Sequence, residues 1–276
     1  MLWLQTWGNP VFDQIFKIIT ALGANSIYII YIGWIYWCVD RKNGEKWAYL
    51  IISSAMLNGI IKLLFMAPRP FQVGKGIFAV DPSTATGYSF PSGHSQASAT
   101  FGGFLAFENR SKRIKLIGIL FFLFIGFSRL YLRVHWPVDI LVGWMLGLCF
   151  AAIYHFFYDK NPLFFKSIAL GSFALSALFF KDSDQIKLMG LFFSMSIGMW
   201  VNSTYLNLPI HRFKEGGKRK LLIGLLLIVV MMILLKLILP ESLNGLRYAA
   251  IGITLSLLYP WVFTRLFSKL SLKENL

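Results

Sequence analysis

Apolar residues dominate this chain in long runs, interrupted at intervals by short stretches of Lys, Arg, Asn, Gly and Pro. A run with no polar face marks a helix surrounded by apolar material, and about 20 such residues cross a hydrocarbon layer of roughly 30 Å. The pattern predicts helices over 21–39, 47–67, 92–107, 114–132, 137–158, 163–180, 187–206, 221–239 and 248–267. The expected fold is all-α, a polytopic membrane bundle of about nine transmembrane helices. A different pattern precedes the first run: Val11, Phe12, Ile15, Phe16 and Ile19 recur at helical spacing, with Asp13, Gln14 and Lys17 between them. That alternation predicts a short helix over 10–20 lying on the membrane surface. The first 20 residues show neither a basic start nor a small-residue cleavage site after an apolar core, so they are not read as a removable signal, and the mature chain is expected to start near Met1.

Composition agrees with a membrane class, since 57% of the 276 residues are hydrophobic and 14% are charged. The net charge of +15 needs a source, and the loops supply it. Arg41, Lys42 and Lys46; Arg110, Lys112, Arg113 and Lys115; Lys160 and Lys166; Arg212, Lys214, Lys218, Arg219 and Lys220; and Arg265, Lys269 and Lys273 all fall in alternate connections or at their edges. Basic loops stay on the cytoplasmic side, which directs the C-terminus inward and makes a nucleic-acid partner unnecessary. The Leu206–Lys220 connection, with Glu215-Gly216-Gly217-Lys218, reads as one such cytoplasmic turn. Cys38 and Cys149 each lie in an apolar run and read as packing residues, offering neither a disulfide framework nor a metal site.

Three polar clusters interrupt the pattern on the opposite face. Lys62 lies in an apolar run and can snorkel outward, and Arg69 follows the Pro68 break and precedes Pro70, so two cations can converge on one anion. Pro91-Ser92-Gly93-His94 reads as a helix start. Its free amides favour phosphate, Gly93 permits close approach, and His94 stands in the first turn. Ser128-Arg129 precedes His135 and Asp139, which are four apart and share a helix face, so the carboxylate can orient one ring nitrogen and leave the other to react. The segment between Pro68 and Pro91, rich in Gly and Pro, is long enough to form a lid or a substrate-selecting rim. Carboxylates on this face are too few and too scattered to build an oxygen-rich Mg²⁺ site.

Lys62 with six residues before Arg69-Pro70, then Pro91-Ser92-Gly93-His94, then Ser128-Arg129, five residues, His135, three residues and Asp139 resemble the motifs of the phosphatidic acid phosphatase type 2 superfamily. That resemblance implies a metal-independent membrane phosphatase without a cofactor. His135 would be the nucleophile, Asp139 would hold its tautomer, and His94 would be the general acid. Lys62, Arg69, Ser92, Gly93 and Arg129 would bind the phosphate. It divides the chain into an interfacial segment (1–20), a catalytic core (21–158) and a C-terminal transmembrane extension (159–276). The nine-run layout looks more like the glucose-6-phosphatase and sphingosine-phosphate phosphatase branches than the six-span plan common in the family. The expected partners are membrane lipids and a lipid phosphate or diphosphate substrate, met at the non-cytoplasmic face of a bacterial plasma membrane. A sugar phosphate is the alternative within the same chemistry. A transporter or scaffold with a vestigial site is the alternative outside it, disfavoured because the last four runs carry little charge.

Overall fold

A computed structural model of the chain describes residues 2–74, 76–178, 183–208, 210 and 218–273. Among the described residues all regular structure is helical: α1 (Leu2–Gln5), α2 (Pro10–Ala21), α3 (Asn25–Cys38), α4 (Arg41–Phe65), α5 (Pro70–Val73), α6 (Gly93–Glu108), α7 (Lys112–Tyr131), α8 (Pro137–Phe157), α9 (Pro162–Ala177), α10 (Ser183–Val201), α11 (Lys218–Ile238), α12 (Asn244–Ile253) and α13 (Tyr259–Lys273). A π-helical turn, Asn202–Leu206, closes α10, and another, Thr254–Leu258, joins α12 to α13. Each predicted run is occupied by helix. The last two positions of the predicted 163–180 helix, and residues 211–217 of the basic connection, lie outside the described residues.

Helical runs and membrane crossings are different quantities. Among the described residues, five stretches are long and apolar enough to cross: Arg41–Val73, Lys112–Tyr131, Pro137–Phe157, Lys218–Ile238 and Glu241–Leu266. The pair Pro10–Ala21 and Asn25–Cys38, bent by 41°, makes a sixth if it acts as one span. Nine crossings were expected from the runs alone; α6 and α9, with 16 residues each, are shorter than the roughly 20 that a full hydrocarbon layer takes unless flanking residues complete the span.

The chain forms two compact units, one from Met1–Tyr28 with Leu50–Leu175 and the other from Ile29–Tyr49 with Ser176–Leu276. In the first, α6 lies between α7 and α8. Small residues let the backbones meet: a Cβ at Gly102 or Gly118 would strike the other's carbonyl, and one at Gly143 would stand 2.9 Å from the Ser92 carbonyl oxygen. The start of α8 therefore lies directly on the first turn of α6. Helix α2 is laid on the end of α7, with Phe16 stacked on Tyr131 at 4.1 Å and Asp13 Oδ1 accepting from the Tyr131 hydroxyl at 2.8 Å. The polar stripe Ser54–Asn58–Lys62, spaced at four residues along α4, turns toward α6. There Asn58 Nδ2 donates to Gln96 Oε1 (2.8 Å), Gln96 Nε2 donates to the Ser54 carbonyl (2.8 Å), and the Ser54 and Thr100 hydroxyls lie 2.9 Å apart. Each of these buried groups has a partner, as an apolar interior demands.

In the second unit, the buried Tyr36 hydroxyl donates to the Ser256 carbonyl and accepts from Asn202 Nδ2, both at 3.0 Å, while Trp37 Nε1 donates to the Leu255 carbonyl at 2.8 Å. Ser256 and Leu255 belong to the π-helical turn, where the usual ladder of carbonyls is displaced. Cys38 is buried, consistent with a packing role, whereas Cys149 is exposed on the outer side of α8. An apolar helix that faces lipid presents such a residue without needing it for packing.

Candidate active site

The three clusters meet at the end of the first unit where α4 finishes and α6 and α8 begin. Pro137 opens α8 at its first position, and Asp139, in the same turn, folds its carboxylate back to accept from the Trp136 amide at 2.8 Å. The same oxygen, Oδ2, lies 3.3 Å from His135 Nδ1. His135 Nε2 points the other way and lies 3.2 Å from Arg69 Nη1. A guanidinium has donors only, so Nε2 is the unprotonated nitrogen and the imidazole proton is assigned to Nδ1, toward Asp139. Both His135 and Asp139 are almost wholly buried. Burial holds the imidazole well below its ordinary protonation range, and the charges of Arg69, Arg129 and Lys62 act in the same direction. His135 is therefore neutral, with its Nε2 lone pair turned to the cations.

Ser92 caps α6, its hydroxyl accepting from the Ser95 amide at 3.3 Å and from the Ser95 hydroxyl at 2.9 Å. Its own amide donates to the Asp139 carbonyl at 2.9 Å, tying the head of α6 to the head of α8. Gly93 and His94 follow, at positions whose amides an α-helix leaves without an internal partner. A Cβ at Gly93 would stand 3.3 Å from Asn58 Oδ1. His94 is half-buried, with Cδ2 close beside Gly23, and the positive charges acting on it are those of Arg129, Arg69 and Lys62. Every residue singled out from the three motifs is thus brought into one neighbourhood.

The long connection between Pro68 and Pro91 folds over this neighbourhood and meets all three cations with main-chain carbonyls. Lys62 Nζ donates to Tyr88 (2.5 Å) and Ser89 (3.2 Å). Arg69 donates through Nε to Gly87 (2.9 Å), through Nη2 to Thr86 (2.6 Å) and Tyr88 (3.3 Å), and through Nη1 to Val134 (2.9 Å). Arg129 Nη2 donates to the Thr84 carbonyl (3.0 Å), and its Nη1 donates to the hydroxyls of Thr20 (2.8 Å) and Thr84 (3.1 Å). Arg129 Nε is buried without a hydrogen-bond partner among the described residues. A buried guanidinium nitrogen with a free donor is costly unless something completes it, and an anionic oxygen is its natural complement.

Three participants escaped the motif spacing. Ser89 donates through its hydroxyl to Asp139 Oδ2 at 2.5 Å. Thr84 and Thr20 hold Arg129, the second from a helix that its sequence pattern assigns only to the membrane surface. None of the three has a periodic or motif signal. The Ser54–Asn58–Lys62 stripe did have one, since polar residues at four-residue spacing in an apolar run mark a face turned inward. Among the described residues, no three His, Cys, Asp or Glu side chains are grouped as metal ligands would be.

Comparison with known proteins adds an independent line. Residues 46–162 match the family model described as PAP2 superfamily, and residues 186–273 match the one described as PAP2 superfamily phosphatase, transmembrane extension. The chain is 31% identical over 107 residues to an undecaprenyl-diphosphatase of Sulfolobus acidocaldarius, covering 39% of this chain and 51% of that protein, about half its length. Over 181 residues it is 29% identical to an undecaprenyl-diphosphatase of Bacillus subtilis, covering 64% of this chain and 91% of the relative. Over 173 residues it is 30% identical to a phosphatidylglycerophosphatase B of Haemophilus influenzae, covering 45% of this chain and 71% of the relative.

Proposed function

The chain belongs to the PAP2 superfamily as a membrane phosphatase, and on that premise we propose that it hydrolyses a lipid phosphate or diphosphate through a phosphohistidine at His135. The observation that carries this reading is the orientation of His135. Its Nδ1 faces a carboxylate and its Nε2 faces the Arg69 guanidinium, the arrangement an imidazole needs to attack a phosphorus held by cations from Nε2 while its proton stays on Nδ1.

In the first step Nε2 forms a bond to phosphorus as the bond to the leaving oxygen breaks, and His94 transfers its proton to that oxygen. Asp139 stabilises the charge that develops on the imidazole. Lys62, Arg69, Arg129, the Ser92 hydroxyl and the Gly93 amide hold the non-bridging oxygens, where charge accumulates during phosphoryl transfer. Carbonyls of Thr84–Ser89 already stand against the three cations, so an incoming phosphoryl competes with them and the connection adjusts as substrate binds. In the second step His94 takes a proton from water, the hydroxide oxygen bonds to phosphorus, the P–N bond breaks and phosphate departs.

The side of the membrane follows from the loops. Helix α7, long and apolar enough to cross, runs from the basic connection at 110–115 to Arg129 at the site, over 20 residues or about 30 Å. With that basic connection cytoplasmic, the site opens on the non-cytoplasmic side and the C-terminus is cytoplasmic. The names of the relatives favour a lipid anion over a sugar phosphate.

The test is phosphate release by protein in detergent micelles containing EDTA. The panel is farnesyl diphosphate, phosphatidylglycerophosphate and glucose 6-phosphate. Turnover of either lipid at a kcat/KM at least tenfold above the sugar phosphate is expected. A preference for the sugar, or a strict Mg²⁺ requirement, overturns the reading.

A further inference from the structure

We propose that Ser89 is a positioning residue of the phosphoryl-transfer site, its hydroxyl fixing the Asp139 carboxylate and thereby the basicity of His135. The proposal rests on the reading of His135 as nucleophile and adds a residue that lies outside all three motifs.

Ser89 is fully buried, and its Oγ donates to Asp139 Oδ2 at 2.5 Å. The same oxygen accepts from the Trp136 amide at 2.8 Å and faces His135 Nδ1 at 3.3 Å, so Ser89 and the nucleophile share one carboxylate oxygen. Ser89 Oγ and His135 Nδ1 are 3.5 Å apart, at the outer limit of a hydrogen bond, so the shared carboxylate is the stronger side-chain route between them; the Ser89 main chain also acts on the imidazole, favouring its protonated form, and is unchanged in side-chain variants. The placement of Ser89 does not depend on substrate. Its amide donates to the Ala67 carbonyl at 2.8 Å, and its carbonyl accepts from Lys62 Nζ at 3.2 Å, so the backbone is tied on both sides to the end of α4. Three residues on, the Ser92 amide holds the Asp139 carbonyl. One short segment therefore grips both the side chain and the main chain of Asp139.

A hydroxyl is suited to this position. It locates the carboxylate without adding a second positive charge, and it takes up part of the carboxylate's hydrogen-bonding capacity that the imidazole would otherwise command. Among the described residues, the charged and titratable groups facing His135 are Lys62 from α4, Arg69 from the connection after it, His94 from α6, Arg129 from α7 and Asp139 from α8. Asp139 is the single anion among them, so whatever tunes Asp139 tunes the imidazole. Removing the hydroxyl leaves Oδ2 more fully engaged with Nδ1, which raises the pH at which His135 becomes protonated.

The experiment is the pH profile of kcat/KM for full-length Ser89→Ala, Ser89→Thr and His135→Ala in detergent micelles with farnesyl diphosphate as probe. Ser89→Ala is expected to lower kcat about ten- to hundredfold, the range a hydrogen bond to a charged group supports. KM should change less than threefold, and the acid limb should move up by about one pH unit. Ser89→Thr, which restores a hydroxyl, should return the acid limb to its wild-type position. Should Ser89→Ala lose the wild-type Tm, Ser89→Cys, close to serine in shape with a weak donor, is measured in its place and the same shift is expected. An acid limb that stays put, or that moves equally in the Ala and Thr variants, overturns the proposal. His135→Ala separates the two levels: if that variant remains active the nucleophile assignment fails, and if it is inert while the Ser89 limb does not move, only the role of Ser89 fails.

Discussion

Arg69→Lys separates charge from shape at the centre of the site. The guanidinium bridges two groups of acceptors: Nε and Nη2 hold Thr86, Gly87 and Tyr88 on one side, while Nη1 holds Val134 and faces His135 Nε2 on the other. A lysine ammonium is a point donor and reaches only one of these groups. Seated among the carbonyls of residues 86–88, it abandons Val134 and the donor directed toward the phosphoryl position. Seated near Val134, it releases the connection. Either way at least one charge-assisted hydrogen bond in a buried site is lost, worth about 1.5–3 kcal/mol, or roughly ten- to hundredfold in rate. The measurement is kcat/KM for farnesyl diphosphate together with the inhibition constant for vanadate, an analogue of the transferring phosphoryl. Both are expected to worsen about ten- to hundredfold although the net charge is unchanged. Values within threefold of wild type for both would show that a positive charge suffices and would refute the argument from the planar fork.

Other perturbations test other parts of the account. Thr20→Val removes the acceptor that α2 offers to Arg129 Nη1; kcat/KM is expected to fall about ten- to hundredfold, the cost of one hydrogen bond to a charged group of about 1.5–3 kcal/mol, with unchanged helix content by circular dichroism. Lys62→Met removes one of the positive charges that hold His135 in its neutral form, so the acid limb of kcat/KM should move up toward the ordinary imidazole value of about 6.5. A folded-state pKa below the unfolded value means that stability is full above about pH 6.5 and declines as pH falls below it; an acid melt of wild type and Lys62→Met should show the smaller decline in the variant. Gly147→Val inserts a side chain against the backbone of Gln96 and Thr100, where a Cβ alone would lie 2.8 Å from the Thr100 nitrogen; overpacking of about 1–3 kcal/mol should lower the Tm in micelles and loosen the α6–α8 contact that aligns Ser92 with Asp139.

Much of the architecture was legible because each apolar run is a local record of one helix. The end of α4 and the starts of α6 and α8 were readable from Pro68, Pro91 and Pro137, since proline chemistry acts within a few residues. The gathering of the motif residues was legible for a different reason: a four-residue separation brings Asp139, in the first turn of α8, back to His135 just ahead of it, and proline and glycine punctuate the helix head at 91–93. What could not be read depends on distant chain segments. The carbonyls of Thr84–Ser89 carry no side-chain signature, yet they contact all three cations. Thr20 belongs to a surface-type amphipathic helix, and only the stacking of Phe16 on Tyr131 reveals that its inner face is committed to α7. The partition of residues 29–49 with the C-terminal helices also escapes a linear reading, because it is set by pairs such as Tyr36 with Ser256, far apart in sequence.

The most direct measurement is chemical trapping of the covalent intermediate. Protein in micelles is mixed for milliseconds with farnesyl diphosphate carrying ³²P at the terminal phosphorus, quenched in alkali, digested and mapped by mass spectrometry. The account predicts an acid-labile, alkali-stable phosphoryl group on the peptide containing His135, absent from His135→Ala and accumulating in His94→Ala when the phosphate is on a good leaving group. Label on another residue, or a fully active His135→Ala enzyme, would contradict it.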